Sequence, residues 1–413
     1  MPFMPFILLG GTLGGAGAFI RNNKIEAKVE AAAKGAIALK GVERAKGALP
    51  PAEKDRAKKI PAVSAMDLEI GFGLVPLVDG KQGGKLIERI GLVRGQIAEE
   101  LGFVLPPVNV RDNVRLKNTE YCIRIRGLEK ARGYVRPGFW LAISPPGSAK
   151  LDGFVQVKEP AFGFNAYWIP EDKKEMVEGK GLTVVDCSSV ITTHLAEVAK
   201  GSGADILSRQ DATDMVEHLK ESHSSVVGEL IPSKFSMGGI HRVLQRLLKE
   251  RVSVRDLSLI MECVADHVGR TQDPALLAEF CRKVIGGHIC LNHMAADGTL
   301  PALGMHPDAE ALIKKSTRRE ANELGTLIME PALARTLLDS FREALEAARK
   351  KGQEPVILCS PLVRPQFRYL IEHDFPTTAV LSFAEVPDSI SVNMMGMIQL
   401  PVPVDAATAE ARA

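Results

Sequence analysis

Residues 67–107, DLEIGFGLVPLVDGKQGGKLIERIGLVRGQIAEELGFVLPP, constrain the fold more than any other stretch. Leu68, Ile70, Phe72 and Leu74 alternate with small or charged residues, which is the period of a half-buried strand. Asp79-Gly80 and Gly83-Gly84 break that pattern. Leu86, Ile87, Ile90, Val93, Ile97 and Leu101 then return at helical spacing, with Glu88, Arg89, Arg94, Glu99 and Glu100 on the opposite side. Gly102 is placed to stop the helix, and Pro106-Pro107 keep it from resuming. A strand, a Gly-rich turn and a helix open an α/β or α+β domain.

The rest of the chain continues in that mixed style. Val108/Val110 and Tyr121/Ile123/Ile125 read as strands in a hairpin-like arrangement. Arg111, Arg115, Arg124, Arg126 and Arg132 lie among Asp112, Glu120 and Glu129, the pattern of a solvated strand face rather than a basic patch. Pro145-Pro146-Gly147 marks a turn, and 154–157 a short strand. A charged helix at 171–179, a strand at 183–186 and a helix at 188–200, capped by Ser188 or Ser189, come next. From 208 to 287 the pattern is helical throughout. Ser208 and Ser236 are caps, Ser253-x-x-Asp256 resembles a capping box, and Asp273-Pro274 is a cap followed by proline at the first helical position. Ile240, Val243, Leu244, Leu247 and Leu248 make one apolar stripe; Leu257, Ile260, Met261 and Val264 make the next. Ala296-Asp297-Gly298 reads as a turn between strands at 289–294 and 300–305. A long helix at 331–351 ends at Gly352. Strand 356–359, helix 365–373 and strand 379–383 close an α/β unit, and the tail 401–413 reads as disordered.

The N-terminal segment 1–20, MPFMPFILLGGTLGGAGAFI, has no charge, and at about 1.5 Å per residue it spans a bilayer core of about 30 Å. Arg21 and Lys24 follow it and put the remainder on the cytoplasmic side. Gly10/Gly14 and Gly11/Gly15 suit close helix packing in lipid. No basic region precedes the apolar run, which argues against a signal peptide. Residues 21–63, rich in Ala, Lys and Glu and broken by Pro50-Pro51 and Pro61, form a linker.

Composition removes several functions. The net charge is +2, and aromatics are 5%, which disfavours a dedicated nucleic-acid binder. The six cysteines are scattered without CxxC and read as reduced thiols. GKQGGK at 80–85 invites a phosphate-loop reading, but Leu86 stands where the magnesium-holding hydroxyl belongs. Gly71-x-Gly73 lacks the third glycine of a dinucleotide fingerprint. Cys281, His288, Cys290 and His293 come nearest to a metal set, without a second pair to support it; a structural role is favoured. No GxSxG is present, and His194 lacks an evident acid partner. Neither catalysis nor a cofactor is expected.

The most informative binding stretch is EPAFGFNAYWI at 159–169, where Phe162, Phe164, Tyr167 and Trp168 gather four of the few aromatics. Such a cluster is core, or, where partly exposed, an anchor pocket for an apolar side chain or amphipathic helix. This block, the 67–107 stretch, TVVDCSSVITTHL at 183–195, VLQRLLKERVSVRDLSLIMECVADHV at 243–268 and PVILCSPLVRPQFRYLIE at 355–372 together resemble the flagellar export-gate family of type III secretion and its injectisome relatives.

The resemblance implies a last membrane span followed by a cytosolic region of four subdomains. These would be 64–136 with 187–206, an inserted β-rich subdomain at 137–186, a helical one at 207–288 and an α/β one at 289–400. The family's earlier spans are absent from this sequence, so a fragment or truncated product is expected. The resemblance further implies a ring of nine copies at the inner membrane. Its partners would be export chaperones with their cargo, components of the export ATPase complex and other membrane gate subunits. Glu159, Phe162, Val185, Val190 and Thr193 match the family's chaperone-binding hollow, with a carboxylate at the rim, apolar walls and a hydroxyl donor. Gly71 matches a position that affects motion between subdomains. Glu53, Ala57 and Lys59 fall where the linker meets a neighbouring copy. A flagellar machine is favoured over an injectisome; a membrane scaffold without export activity and a nucleotide-binding protein built on 80–85 are the rivals.

Overall fold

The computed structural model describes residues 63–144, 151 and 153–400. The segment 1–20, the linker through residue 62 with Glu53, Ala57 and Lys59, the turn at Pro145-Pro146-Gly147 and the tail 401–413 lie outside the described residues. Among the described residues, no helix is long and apolar enough to cross a membrane.

The first sheet is organised around β1 (Met66–Ile70). Helix α1 (Leu86–Leu101) follows, then β2 (Asn109–Asp112), β3 (Glu120–Ile125) and β4 (Leu128–Tyr134). The strand order is β2-β1-β3-β4, with β1 parallel to β2 and antiparallel to β3. The hairpin expected between the 108–110 and 121–125 strands is therefore absent, because β1 lies between them; the hairpin is β3–β4. Nor is β1 half-buried. Asp67 and Glu69 are 3% and 5% exposed, as deep as their apolar neighbours. Burial raises the pKa of Glu69, but Asn113 (2.7 Å), Arg111 (2.8 Å) and Arg124 (3.2 Å) outweigh it and keep the carboxylate ionised. The alternation stops at Ile70. Gly71 leads into a 3-10 turn, Phe72–Leu77, with Phe72 exposed and Leu74 buried. In α1 Leu86, Ile90, Val93, Ile97 and Leu101 face inward, while Ile87 lies outside the stripe. Gly102 ends the helix at φ +82°, a backbone state open to glycine.

The second sheet holds β5 (Phe139–Ser144), β6 (Val155–Lys158), β7 (Asn165–Pro170) and, after the short helix α2 (Lys174–Glu178), β8 (Thr183–Val185). Its order is β6-β7-β5-β8, antiparallel throughout. Ala142, Tyr167, Ile169, Leu151, Val177 and Leu182 form the core on one face. The chain then returns to the first sheet through α3 (Cys187–Gly201), which packs on α1, and α4 (Gly203–Ile206).

Six helices come next: α5 (Arg209–Ser222), α6 (Ser224–Leu230), α7 (Met237–Lys249), α8 (Leu257–His267), α9 (Pro274–Val284) and α10 (Gly286–Leu291). Ser208 caps α5 in a full box with Asp211, and Ser236 and Asp273 cap α7 and α9. At α8 the cap is Asp256 itself, whose carboxylate accepts the Leu259 N–H, so the box expected from Ser253 is not formed. Residues 289–294 are not a strand. Gly286 starts a helix against the backbone of Glu385, where a Cβ would stand 2.1 Å from the carbonyl oxygen. Ile289 and Cys290 are then buried on that helix.

The last sheet has the order β13-β12-β9-β14 and is parallel. Its chain order is β9 (Leu300–Met305), α11 (Pro307–Lys315), the small pair β10 (Thr317–Arg318) and β11 (Thr326–Leu327), α12 (Pro331–Lys350), β12 (Val356–Cys359), α13 (Arg364–Ile371), β13 (Val380–Ser382) and β14 (Val392–Ile398). Leu337, Phe341 and Leu345 of α12 meet Phe367 of α13 and Ile357 of β12 in its core. The fold is a mixed α/β architecture with a helical section between two sheet-bearing ends.

Candidate functional site

The residues expected to form a binding hollow lie where α3 meets the second sheet. Asp186, not Ser188 or Ser189, caps α3: its Oδ1 accepts the Ser189 N–H at 2.8 Å. Arg89 of α1 clasps both oxygens of that carboxylate, at 2.8 and 2.7 Å, and also reaches the Ser189 hydroxyl. One corner of the second sheet is thereby tied to the first region. Val185 at the end of β8 is half-buried; Val190 and Thr193, on the first turns of α3, are buried at 1% and 4% exposure.

Glu159 and Phe162 come from the turn between β6 and β7. Glu159 is not a rim carboxylate. It is 1% exposed, and its two oxygens accept the N–H groups of Ala161 (2.8 Å) and Phe162 (2.7 Å). The Gly163 N–H closes the turn on the Glu159 carbonyl at 2.9 Å. Burial raises the Glu159 pKa, these backbone donors pull it back, and the charge of Glu197 on α3 raises it further. The turn is held by its own backbone donors. On it the rings of Phe162 and Phe164 sit 6.0 Å apart, both half-buried. Behind lies a pair unread from the sequence: the Tyr121 hydroxyl and His194 Nδ1 at 2.9 Å. Burial holds His194 down to about 4, so the ring is neutral near pH 7.

The second sheet is apolar on both faces. Opposite its own core, Leu141, Ile143, Ala166, Val157 and Val185 line the other side. Leu141, Ile143 and Ala166 are buried, so the apolar surface left partly open is that of Val157, Val185, Phe162 and Phe164.

The other candidates separate from it. Gly71 belongs to the first sheet, where a Cβ would stand 2.0 Å from the Lys117 carbonyl oxygen, so a substitution there acts first on that turn. In the 80–85 turn the Asp79 carboxylate accepts the Lys81 N–H at 2.9 Å, placing a negative charge where a phosphate loop needs open donors. The Cys281 thiol is directed at the Ile260 carbonyl and the Cys290 thiol at that of Glu385. A cleft of about 760 Å³ lies apart, between the helical section and the last sheet. Its wall holds a buried ion cluster. Arg364 binds Glu250 (2.7 Å) and Glu279, and Arg282 binds Glu250 (3.3 Å) and Glu385 (2.8 Å).

Fold and sequence together define the class. The model of the FHIPEP family matches residues 1–391, and the chain belongs to that family. Within it the chain is 35% identical over 339 residues to the flagellar biosynthesis protein FlhA of Bacillus subtilis (strain 168), covering 82% of this chain and 50% of the relative. The chain thus spans about half the length of that relative. Its fold is that of the Chlamydia pneumoniae CdsV protein, with a TM-score of 0.73 at 23% identity over 84% of this chain and 100% of that one. It is also that of the nonameric EPEC SctV-C, with a TM-score of 0.68 at 19% identity over 83% and 100%.

Proposed function

We propose that the chain is an export-gate subunit of a flagellar type III secretion apparatus. It would be tethered to the inner membrane through residues 1–20, and its cytosolic part would dock chaperone-bound cargo and help order export. The docking surface would be presented by half-buried Phe162, Phe164 and Val185 over buried Val190 and Thr193, with Glu159 fixing the turn that carries Phe162. The observation that carries this reading is the second sheet's second apolar face, together with half-buried Phe162, Phe164 and Val185. Four subdomains, 64–136 with 187–206, 137–186, 207–288 and 289–400, give the site two walls from different units. The nonameric state named for EPEC SctV-C supports a ring of copies. Export ATPase components and other gate subunits are the further partners. The chain breaks no covalent bond in this role. The 35% identity to a flagellar biosynthesis protein favours the flagellar machine.

The test is binding of a purified flagellar export chaperone loaded with its cargo to the full chain in detergent micelles. Phe162→Ala removes the half-buried ring and should weaken binding at least tenfold, the scale of an aromatic anchor. Equal affinity of both forms would remove the hollow from the account.

A further inference from the structure

We propose that residues 401–404 of one copy of the chain add as a strand to the open edge of β14 in a second copy. The inference does not rest on the docking reading above. β14 is an edge strand of the last sheet, with β9 on one side and, among the described residues, no strand on the other. It is also the longest strand of that sheet. Its sequence, VNMMGMI, holds no charge and no proline, the residues that ordinarily guard such an edge. Met394 and Met397 are 50% and 44% exposed.

The ladder to β9 shows which backbone groups are left over. The Leu300 N–H bonds the Ser391 carbonyl and the His306 N–H bonds the Ile398 carbonyl, both at 2.9 Å, so Ser391 and Ile398 face β9. Neighbouring residues of a strand turn their N–H and C=O groups to opposite edges. Val392 and Met397 therefore turn theirs outward. Among the described residues, neither makes a backbone hydrogen bond to another segment. The irregular register at Met394/Gly396 divides the open edge into short runs, so a short partner strand suits it.

Residues 401–404 read Pro-Val-Pro-Val. Proline has no N–H, so only every second residue here donates. In extended form Val402 and Val404 turn their donors to one edge, and Pro401 and Pro403 close the other. Such a segment pairs along one edge and stops further addition. It cannot serve its own β14. Only Gln399 and Leu400 intervene; the Ser340 hydroxyl of α12 bonds the Gln399 carbonyl, and Leu400 packs on the core. A two-residue reversal also needs the positive φ that glycine or asparagine supplies. The edge therefore belongs to another copy, and the pairing is head-to-tail, the kind that closes into rings.

The experiment uses the full chain in detergent micelles. One preparation carries Met397→Cys and another Val402→Cys; the two are mixed, oxidised with copper phenanthroline and mapped by peptide mass spectrometry. A disulfide joining 397 of one copy to 402 of the other is expected. A chain carrying both substitutions, diluted until copies are separate, should stay unlinked between these positions. Val402→Pro with Val404→Pro removes both donors and should weaken self-association about tenfold in sedimentation velocity, the worth of two modest hydrogen bonds. Absence of the 397–402 link between copies, its formation within one diluted chain, or equal self-association with and without the added prolines would each overturn the proposal.

Discussion

Two joints in the molecule are built differently. Between the helical section and the last sheet five charged side chains are gathered, Arg282, Arg364 and Glu385 buried, Glu250 and Glu279 part-exposed on the cleft wall. Burial works against the Glu250 carboxylate, yet Arg364 and Arg282 hold it ionised; burial keeps the Glu279 carboxyl raised despite Arg364. Between the first and second sheets the charged tie among the described residues is a part-exposed clasp, Arg89 on Asp186, beside the neutral Tyr121–His194 pair. Interior ion clusters fail badly when one member is removed, because the rest are stranded. A part-exposed pair loses less when one member is removed. The teaching is that the joint beside the proposed hollow is the yielding one, and the far joint is fixed.

The largest effect expected is at the fixed joint. Arg364→Met strands Glu250 and Glu279 and should lower unfolding stability by about 3–5 kcal/mol in urea titrations. A loss below about 1 kcal/mol would break the comparison. The pH response comes second. His194 is held down to about 4 by burial, against an unfolded value near 6.5. The unfolded chain therefore binds the proton first. Stability from this group is complete above pH 6.5 and is lost as pH falls toward 4, on the order of 2–3 kcal/mol. Glu159, with its pKa raised, acts in the opposite sense and offsets part of this. Melting curves from pH 7 to 4.5 should therefore show a falling midpoint, with the fall shallower in His194→Gln. Equal slopes would take His194 out of the joint. Smallest is Arg89→Ala, which frees the Asp186 cap and should cost about 1–2 kcal/mol. It should also speed amide exchange at the start of α3 more than anywhere in the last sheet. Faster exchange in the last sheet instead would reverse the assignment of the yielding joint.

Local signals were legible in the sequence and distant ones were not. α1 was readable because its inward residues repeat at 3.6 and Gly102 stops it. Ser208, Ser236 and Asp273 were readable because a cap acts within three residues. Residues 289–294 misled because their alternation resembles a strand, whereas Gly286 seated on Glu385, nearly one hundred positions away in sequence, selects a helix. β14 went unread because VNMMGMI is poor in β-branched residues and pairs with β9 through an irregular register at Met394/Gly396. Of the candidate hollow, Phe162 and the α3 residues were legible as residue types. The burial of Glu159 was not, since its partners are the N–H groups of its own turn. Nothing local marks Arg364 either, because its acids sit 85 and 114 residues upstream.

Gly102 carries one more consequence. A Cβ there would lie 2.2 Å from the Arg255 nitrogen, and the Val254 N–H bonds the Leu101 carbonyl at 2.8 Å. The position thus answers two separate demands, a left-handed backbone and contact with the segment that leads into α8. Only a hydrogen atom meets both, so the least replaceable residue in that corner of the molecule is the one that brings no chemistry of its own.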